Sequence, residues 1–173
     1  MLWHDGKIIT GADALLSPHD RGVTLGDGLF ETLPAFNGRP YLASAHLDRM
    51  SASAKKFALP FDDSIIMSAL DTLANKDQAP AILRITLTRG KGQRGLAFPE
   101  PQEPTLFVTR SPWTSALAFG TARLHVSKIR RNSTSPSTSH KTLSYLDNVM
   151  AFAEARNHNA DDALMLDLSL IHI

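Results

Sequence analysis

The chain has 173 residues, 43% of them apolar and 20% charged, with a formal net charge of +1 and no cysteine. That length holds one ordinary domain or two small ones, and the apolar share suits a packed core rather than a disordered chain. The missing cysteines exclude disulfides, a thiol nucleophile and thiolate metal sites, and no metal ligands are assigned.

Cysteine-free composition fits a reducing compartment. No basic stripe interleaved with aromatics stands out, so no nucleic-acid partner is expected. No apolar run reaches membrane-spanning length, and the first residues lack the basic-then-apolar pattern of a secretory signal. A soluble cytoplasmic protein with no membrane partner is expected.

In chain order, Leu2-Trp3 and Ile8-Ile9 flank Asp5-Gly6, which predicts a short β-hairpin. Ser17 to Asp20 reads as a loop. Beyond Gly26 and Gly28, Leu29, Glu31 and Leu33 alternate with Phe30 and Thr32, and Asn37-Gly38 is a second hairpin signal. Helical spacing takes over from Ser44 to Phe57, with Leu47, Met50 and Ala54 on one face and Ser44 as a cap. A second helix is predicted from Ser64 to Leu73. Ala81 to Thr88 reads as a strand, followed by the loop Arg89-Gly90-Lys91-Gly92-Gln93-Arg94-Gly95, and Leu106 to Thr109 as another strand. Residues 1–110 are thus expected to form an α+β N-terminal domain.

Residues 111–121 read as an interdomain connector. Ala122 to Ser127 then reads as a strand, Arg130 to His140 as a long polar loop, Thr142 to Asn157 as a helix and Asp162 to Leu166 as a short strand. Leu143, Leu146, Met150 and Ala153 form the apolar stripe of that helix. Residues 122–167 make an α/β unit too small to close a core alone, so an incomplete C-terminal domain is expected. Residues 168–173, Leu-Ser-Leu-Ile-His-Ile, can be encoded by a transposase-adapter string and are expected to be a non-native tail.

Residue chemistry alone leaves the candidates open. Lys141 is either an exposed lysine near a helix start or an amine held at the mouth of a site, able to form an imine. Arg49 is either a solvated helix residue or a guanidinium that grips two phosphate oxygens, with His46 on the same face. The Arg89-to-Gly95 loop is either an exposed turn or an anion site, although it lacks a Walker pattern.

The block from His140 to Ala151, HKTLSYLDNVMA, resembles the catalytic-lysine segment of class IV, or fold-type IV, pyridoxal-phosphate enzymes. Asn159 to Asp167, Asp20 to Thr32 and His46-Leu47-Asp48-Arg49 resemble three further segments of that family. The family includes branched-chain aminotransferases, D-amino-acid aminotransferases and 4-amino-4-deoxychorismate lyases.

The resemblance implies that Lys141 binds the cofactor covalently and acts as the general acid and base. It implies a phosphate role for Arg49 and a cofactor contact for Tyr145. Branched-chain enzymes have one more residue between lysine and tyrosine, and relatives with the shorter spacing carry other residue types near this point, so Tyr145 departs from the pattern. Arg94 is implied at the substrate carboxylate, and Phe30 and Thr32 on the substrate side, while Asp27 and Glu31 are structural. A glutamate for the pyridine nitrogen and the rest of the phosphate cup would lie beyond residue 173.

The leading activity is transfer of an amino group from an amino acid, branched-chain among the candidates, to 2-oxoglutarate. The alternative is aminodeoxychorismate lyase, releasing pyruvate and 4-aminobenzoate. Another alternative is an inactive truncated product. A full-length form is expected to be a homodimer.

Overall fold

Asp5 and Gly6 take positive φ values of 46° and 77° and join β1 (Leu2–His4) to β2 (Lys7–Ile9) in an antiparallel hairpin. Paired left-handed residues match the natural twist of the two strands, which is why an Asp-Gly pair sits here. The computed structural model describes residues 1–10, 16–115, 118 and 120–171. Residues 116, 117 and 119 of the expected connector, and 172 and 173 of the expected tail, lie outside them. The chain divides into two units, Met1–Thr114 and Ser115–Ile173.

The first unit continues with α1 (Arg21–Leu25), a short helix within a stretch without helical periodicity. Asp20 caps it by accepting from the Gly22 amide, and Gly26 closes it at φ 67°. Next come β3 (Gly28–Phe36), the Asn37-Gly38 turn and β4 (Arg39–Pro40). Helices α2 (Ala43–Lys56) and α3 (Asp63–Ala74) follow, then β5 (Ala81–Thr88) and β6 (Thr105–Pro112). Asp62 caps α3 by accepting from the Ser64 and Ile65 amides. Ser44 does not cap α2. Leu42 holds that position, left-handed at φ 52°, with no side-chain cap.

The strands form an antiparallel sheet in the order β2-β1-β6-β5-β3-β4. Successive side chains on a strand point to opposite faces. Leu29, Leu33 and Ala35 of β3 join Leu83, Ile85 and Leu87 of β5 in one buried cluster with Leu47, Met50 and Ala54 of α2 and Ile66, Leu70 and Leu73 of α3. Each fully buried leucine or isoleucine stabilises the unit by about 1.5–3 kcal/mol. Phe30 and Thr32 alternate to the other face, in register with Thr86 and Arg84.

The second unit is a β-α-β arrangement: β7 (Leu124–Arg131), α4 (Leu146–Asn157) and β8 (Asp162–Asp167), with β7 and β8 parallel. Helix α4 begins four residues later than its periodicity predicts, because Thr142 to Tyr145 take non-helical conformations. Its buried residues are Ala151 and Ala155, not the expected stripe. Leu146, Val149, Met150 and Phe152 are exposed, as are Leu124 and Val126 of β7. This is the surface of an α/β layer that is incompletely closed. Among the described residues, no helix is long and apolar enough to cross a membrane.

One buried carboxylate ties the ends of three segments together. Asp20 is fully buried and accepts from the Gly22 amide at 2.7 Å, the Thr88 hydroxyl at 2.9 Å and the Thr105 hydroxyl at 2.7 Å. Asp20→Ala strands these donors in the interior, at roughly 1–3 kcal/mol for each unsatisfied group. Urea unfolding should show a loss on the order of 3 kcal/mol, with Asp20→Asn milder. An unchanged midpoint in Asp20→Ala would refute this role.

Candidate active-site residues

Glu31 is the one ionisable residue on the helix-facing side of β3, and it is 1% exposed. Its two oxygens accept from Arg49 Nε and Nη2, both at 2.6 Å, and Oε2 lies 2.9 Å from His46 Nδ1. His46 and Arg49 are three residues apart on α2, so both reach the same carboxylate. Burial pushes the Glu31 carboxyl up. The hydrogen bonds and charge of Arg49 and the contact with His46 outweigh this and hold it below its ordinary value. In return the Glu31 hydrogen bond raises Arg49, which stays a fixed cation. The Arg49 side chain is 58% exposed, and its Nη1 has no partner among the described residues. One edge of the guanidinium is therefore clamped, and the other is available to an anion.

The Arg89-to-Gly95 segment is more ordered than its composition suggests. Arg89 is 2% exposed. It donates to Asp27, to the Ala58 and Phe57 carbonyls and to Gln102, and lies 3.7 Å from the Phe98 ring centroid. Arg21 is also buried, donating to Asp27 at 2.8 Å and to the carbonyls of Gly95, Leu96 and Ala97. Two of the buried guanidiniums thus hold the loop's own backbone and the segments beside it. Arg94 is exposed and has no partner among the described residues.

Phe30 is buried and Thr32 exposed on the sheet face away from α2 and α3. The Arg84 guanidinium lies 3.9 Å from the Phe30 ring centroid. Strand alternation places Arg84 of β5 on this same face. Its register partners Thr32 and Thr109 share that face.

In the second unit, Lys141 is half-buried and its Nζ lies 5.6 Å from the Tyr145 ring centroid. Tyr145 is the N-cap residue of α4 and makes no side-chain cap. Between them, the Thr142 hydroxyl is buried and has no hydrogen-bond partner among the described residues. Lys141 therefore stands in a turn ahead of the helix, not on its first turn.

The chain matches the family model for class IV amino-transferases over residues 28–169, and it belongs to that family. A Methanocaldococcus jannaschii protein provisionally named a branched-chain-amino-acid aminotransferase is 30% identical over 172 residues, covering 96% of this chain and 59% of that protein. The crystal structure of 4-amino-4-deoxychorismate lyase from Pseudomonas aeruginosa is similar with a TM-score of 0.85 and 30% identity, covering 98% of this chain and 62% of the other. A hypothetical aminotransferase from Mycobacterium tuberculosis in its PLP-bound form is similar with a TM-score of 0.80 and 26% identity, covering 98% and 62%. The chain thus spans 59–62% of the length of these relatives.

Pyridoxal phosphate is the cofactor of this family, and each unit carries donors that suit part of it. In the first unit Arg49 offers a permanently charged edge that suits a phosphate; in the second, Lys141 offers a primary amine that suits an aldehyde, and Thr142 a buried hydroxyl with no hydrogen-bond partner among the described residues.

The carboxylates set a pH dependence. Burial raises Asp27, but its hydrogen bonds to Arg89 and Arg21 leave it lowered, as Glu31 is lowered. A depressed folded-state pKa stabilises the fold above the ordinary carboxylate range and ceases to do so as pH falls through the lowered value. Stability in urea should therefore hold near neutrality and decline below about pH 4. Glu31→Gln should cost roughly 1–3 kcal/mol at pH 7 and flatten the acid decline. An acid limb identical to that of the unsubstituted chain would contradict the assignment.

Proposed function

We propose that this chain is the cofactor-binding and lysine-bearing part of a pyridoxal-phosphate-dependent aminotransferase. Its reaction is transfer of an amino group from an amino acid, of the branched-chain class, to 2-oxoglutarate. The observation that carries this reading is Arg49, clamped on one edge by buried Glu31 and open on the other, in a chain of the class IV family. The provisional name of the Methanocaldococcus relative supports the substrate class.

When bound, the cofactor supplies an electron sink for the negative charge that develops at the substrate α-carbon. Arg49 binds its phosphate, and Glu31 and His46 fix the direction of that guanidinium. Lys141 Nζ is the covalent anchor, and it takes the proton from the substrate α-carbon and returns one. Tyr145, beside the lysine, orients the cofactor ring. Arg94 receives the substrate carboxylate, and Phe30 and Thr32 line the substrate side. The working form is a homodimer, and the location is the cytoplasm.

The second reading is 4-amino-4-deoxychorismate lyase. The likeness to the Pseudomonas aeruginosa lyase favours it, as do the compact Phe36-Asn37-Gly38-Arg39 hairpin and the arginine-bearing loop. The same lysine chemistry would serve it, with pyruvate and 4-aminobenzoate as products.

Treatment with pyridoxal phosphate and then borohydride should leave a reduced adduct that peptide mass spectrometry maps to Lys141. Lys141→Ala should abolish it, and an adduct at normal yield in that variant sinks the assignment. In the protein extended to the length of its relatives, isoleucine with 2-oxoglutarate should give glutamate. Release of 4-aminobenzoate from aminodeoxychorismate instead selects the lyase.

A further inference from the structure

The second unit holds a cluster of donor side chains that the proposed chemistry does not use. His125 lies on β7, Glu154 in the last turn of α4, and His158 at its C-cap. One ligand atom from each lies within 4.8 Å of the others. We propose that His125, Glu154 and His158 bind a divalent transition ion of the zinc class, with water completing the coordination.

The donor set is the first argument. Two imidazoles and one carboxylate suit zinc, and three protein ligands leave a position for water. Glu154 and His158 are four residues apart, the spacing that brings two side chains to one face of a helix. β7 packs beside α4 and brings His125 to that face.

Glu154 is already held as a ligand would be. Ser127 Oγ donates to its Oε2 at 2.6 Å, and the Lys128 amide donates at 3.1 Å and 3.3 Å to its two oxygens. Ser127 and the Lys128 amide thus fix the direction of the carboxylate from the strand side. Such outer hydrogen bonds orient a ligand and fix its ionisation.

His125 is the second argument. Its Nε2 is buried and lies 3.3 Å from Glu154 Oε1, yet the geometry there makes no hydrogen bond. The nitrogen and the carboxylate thus face each other without a hydrogen bond among the described residues, and an ion between them gives each a direct bond. The His158 ring stacks on His125 at 4.2 Å between centroids and 14° between planes. Tetrahedral coordination at bond lengths of about 2.0–2.1 Å needs donors closer than 4.8 Å, and exposed His158 can turn to close the gap.

The test is calorimetric titration of Zn2+ into the chelator-stripped 173-residue chain in a buffer that does not coordinate metal. A single saturable equivalent is expected. His158→Ala and Glu154→Gln should each weaken it by about tenfold or more, and His19→Ala, at an exposed position elsewhere, should leave it unchanged. Because His158 is exposed at a helix end, His158→Ala should keep the far-ultraviolet circular dichroism of the unsubstituted chain. Wild-type Zn2+ affinity in folded His158→Ala overturns the proposal. So does absence of saturable binding in the unsubstituted chain, or loss of binding in His19→Ala.

Discussion

Asp27 stands between two guanidiniums, Arg21 and Arg89, that are themselves nearly sealed from water. Neither cation could be buried without it, because removing a charge from water is costly unless it is paired and hydrogen-bonded. Once paired, the two arginines donate further to backbone carbonyls at Phe57, Ala58, Gly95, Leu96 and Ala97 and to the Gln102 side chain. The turn after α2, the loop after β5 and the start of β3 are thereby fastened to one carboxylate. Arg94, within that loop, is left exposed on a segment whose path is set by buried charges.

A second buried carboxylate does the same for the helix. Glu31 takes the place of a core leucine in the alternation of β3, and that place faces α2. Its charge is compensated by Arg49 and His46, so α2 is fixed in rotation as well as in position. The functional consequence is a guanidinium that has lost much of its rotamer freedom before any anion arrives. Pre-ordering of this kind reduces the entropy lost on binding. The two carboxylates, four residues apart in the chain, therefore link the packing of the first unit to the presentation of its cations.

The second unit obeys a different balance. Its helix buries two alanines against two strands and exposes Leu146, Val149, Met150 and Phe152. A β-α-β unit has two sheet faces and a helix flank to cover, and three elements cannot cover them all. Lys141 stands in a turn ahead of that helix and Tyr145 at its N-cap.

Much of this was legible in the order of residues. Asp5-Gly6 and Asn37-Gly38 specify their turns through backbone sterics that act within a few residues. The alternation of β3 and β5 and the helical spacing of Leu47, Met50 and Ala54 name their own buried faces. The family blocks around Lys141 and Arg49 are contiguous, so they too could be read directly. What only the tertiary structure decided are pairings between distant residues. Helix α1 depends on a buried aspartate whose partners, Thr88 and Thr105, come from two other strands. The stripe of α4 faces outward because the strands beside it accept the small side of the helix. Arg89, read as a loop cation, is a core residue because Asp27 lies 62 positions earlier in the chain and 2.9 Å away in space. Burial of a charge depends on who stands next to it, and that is a property of the fold rather than of any local stretch of sequence.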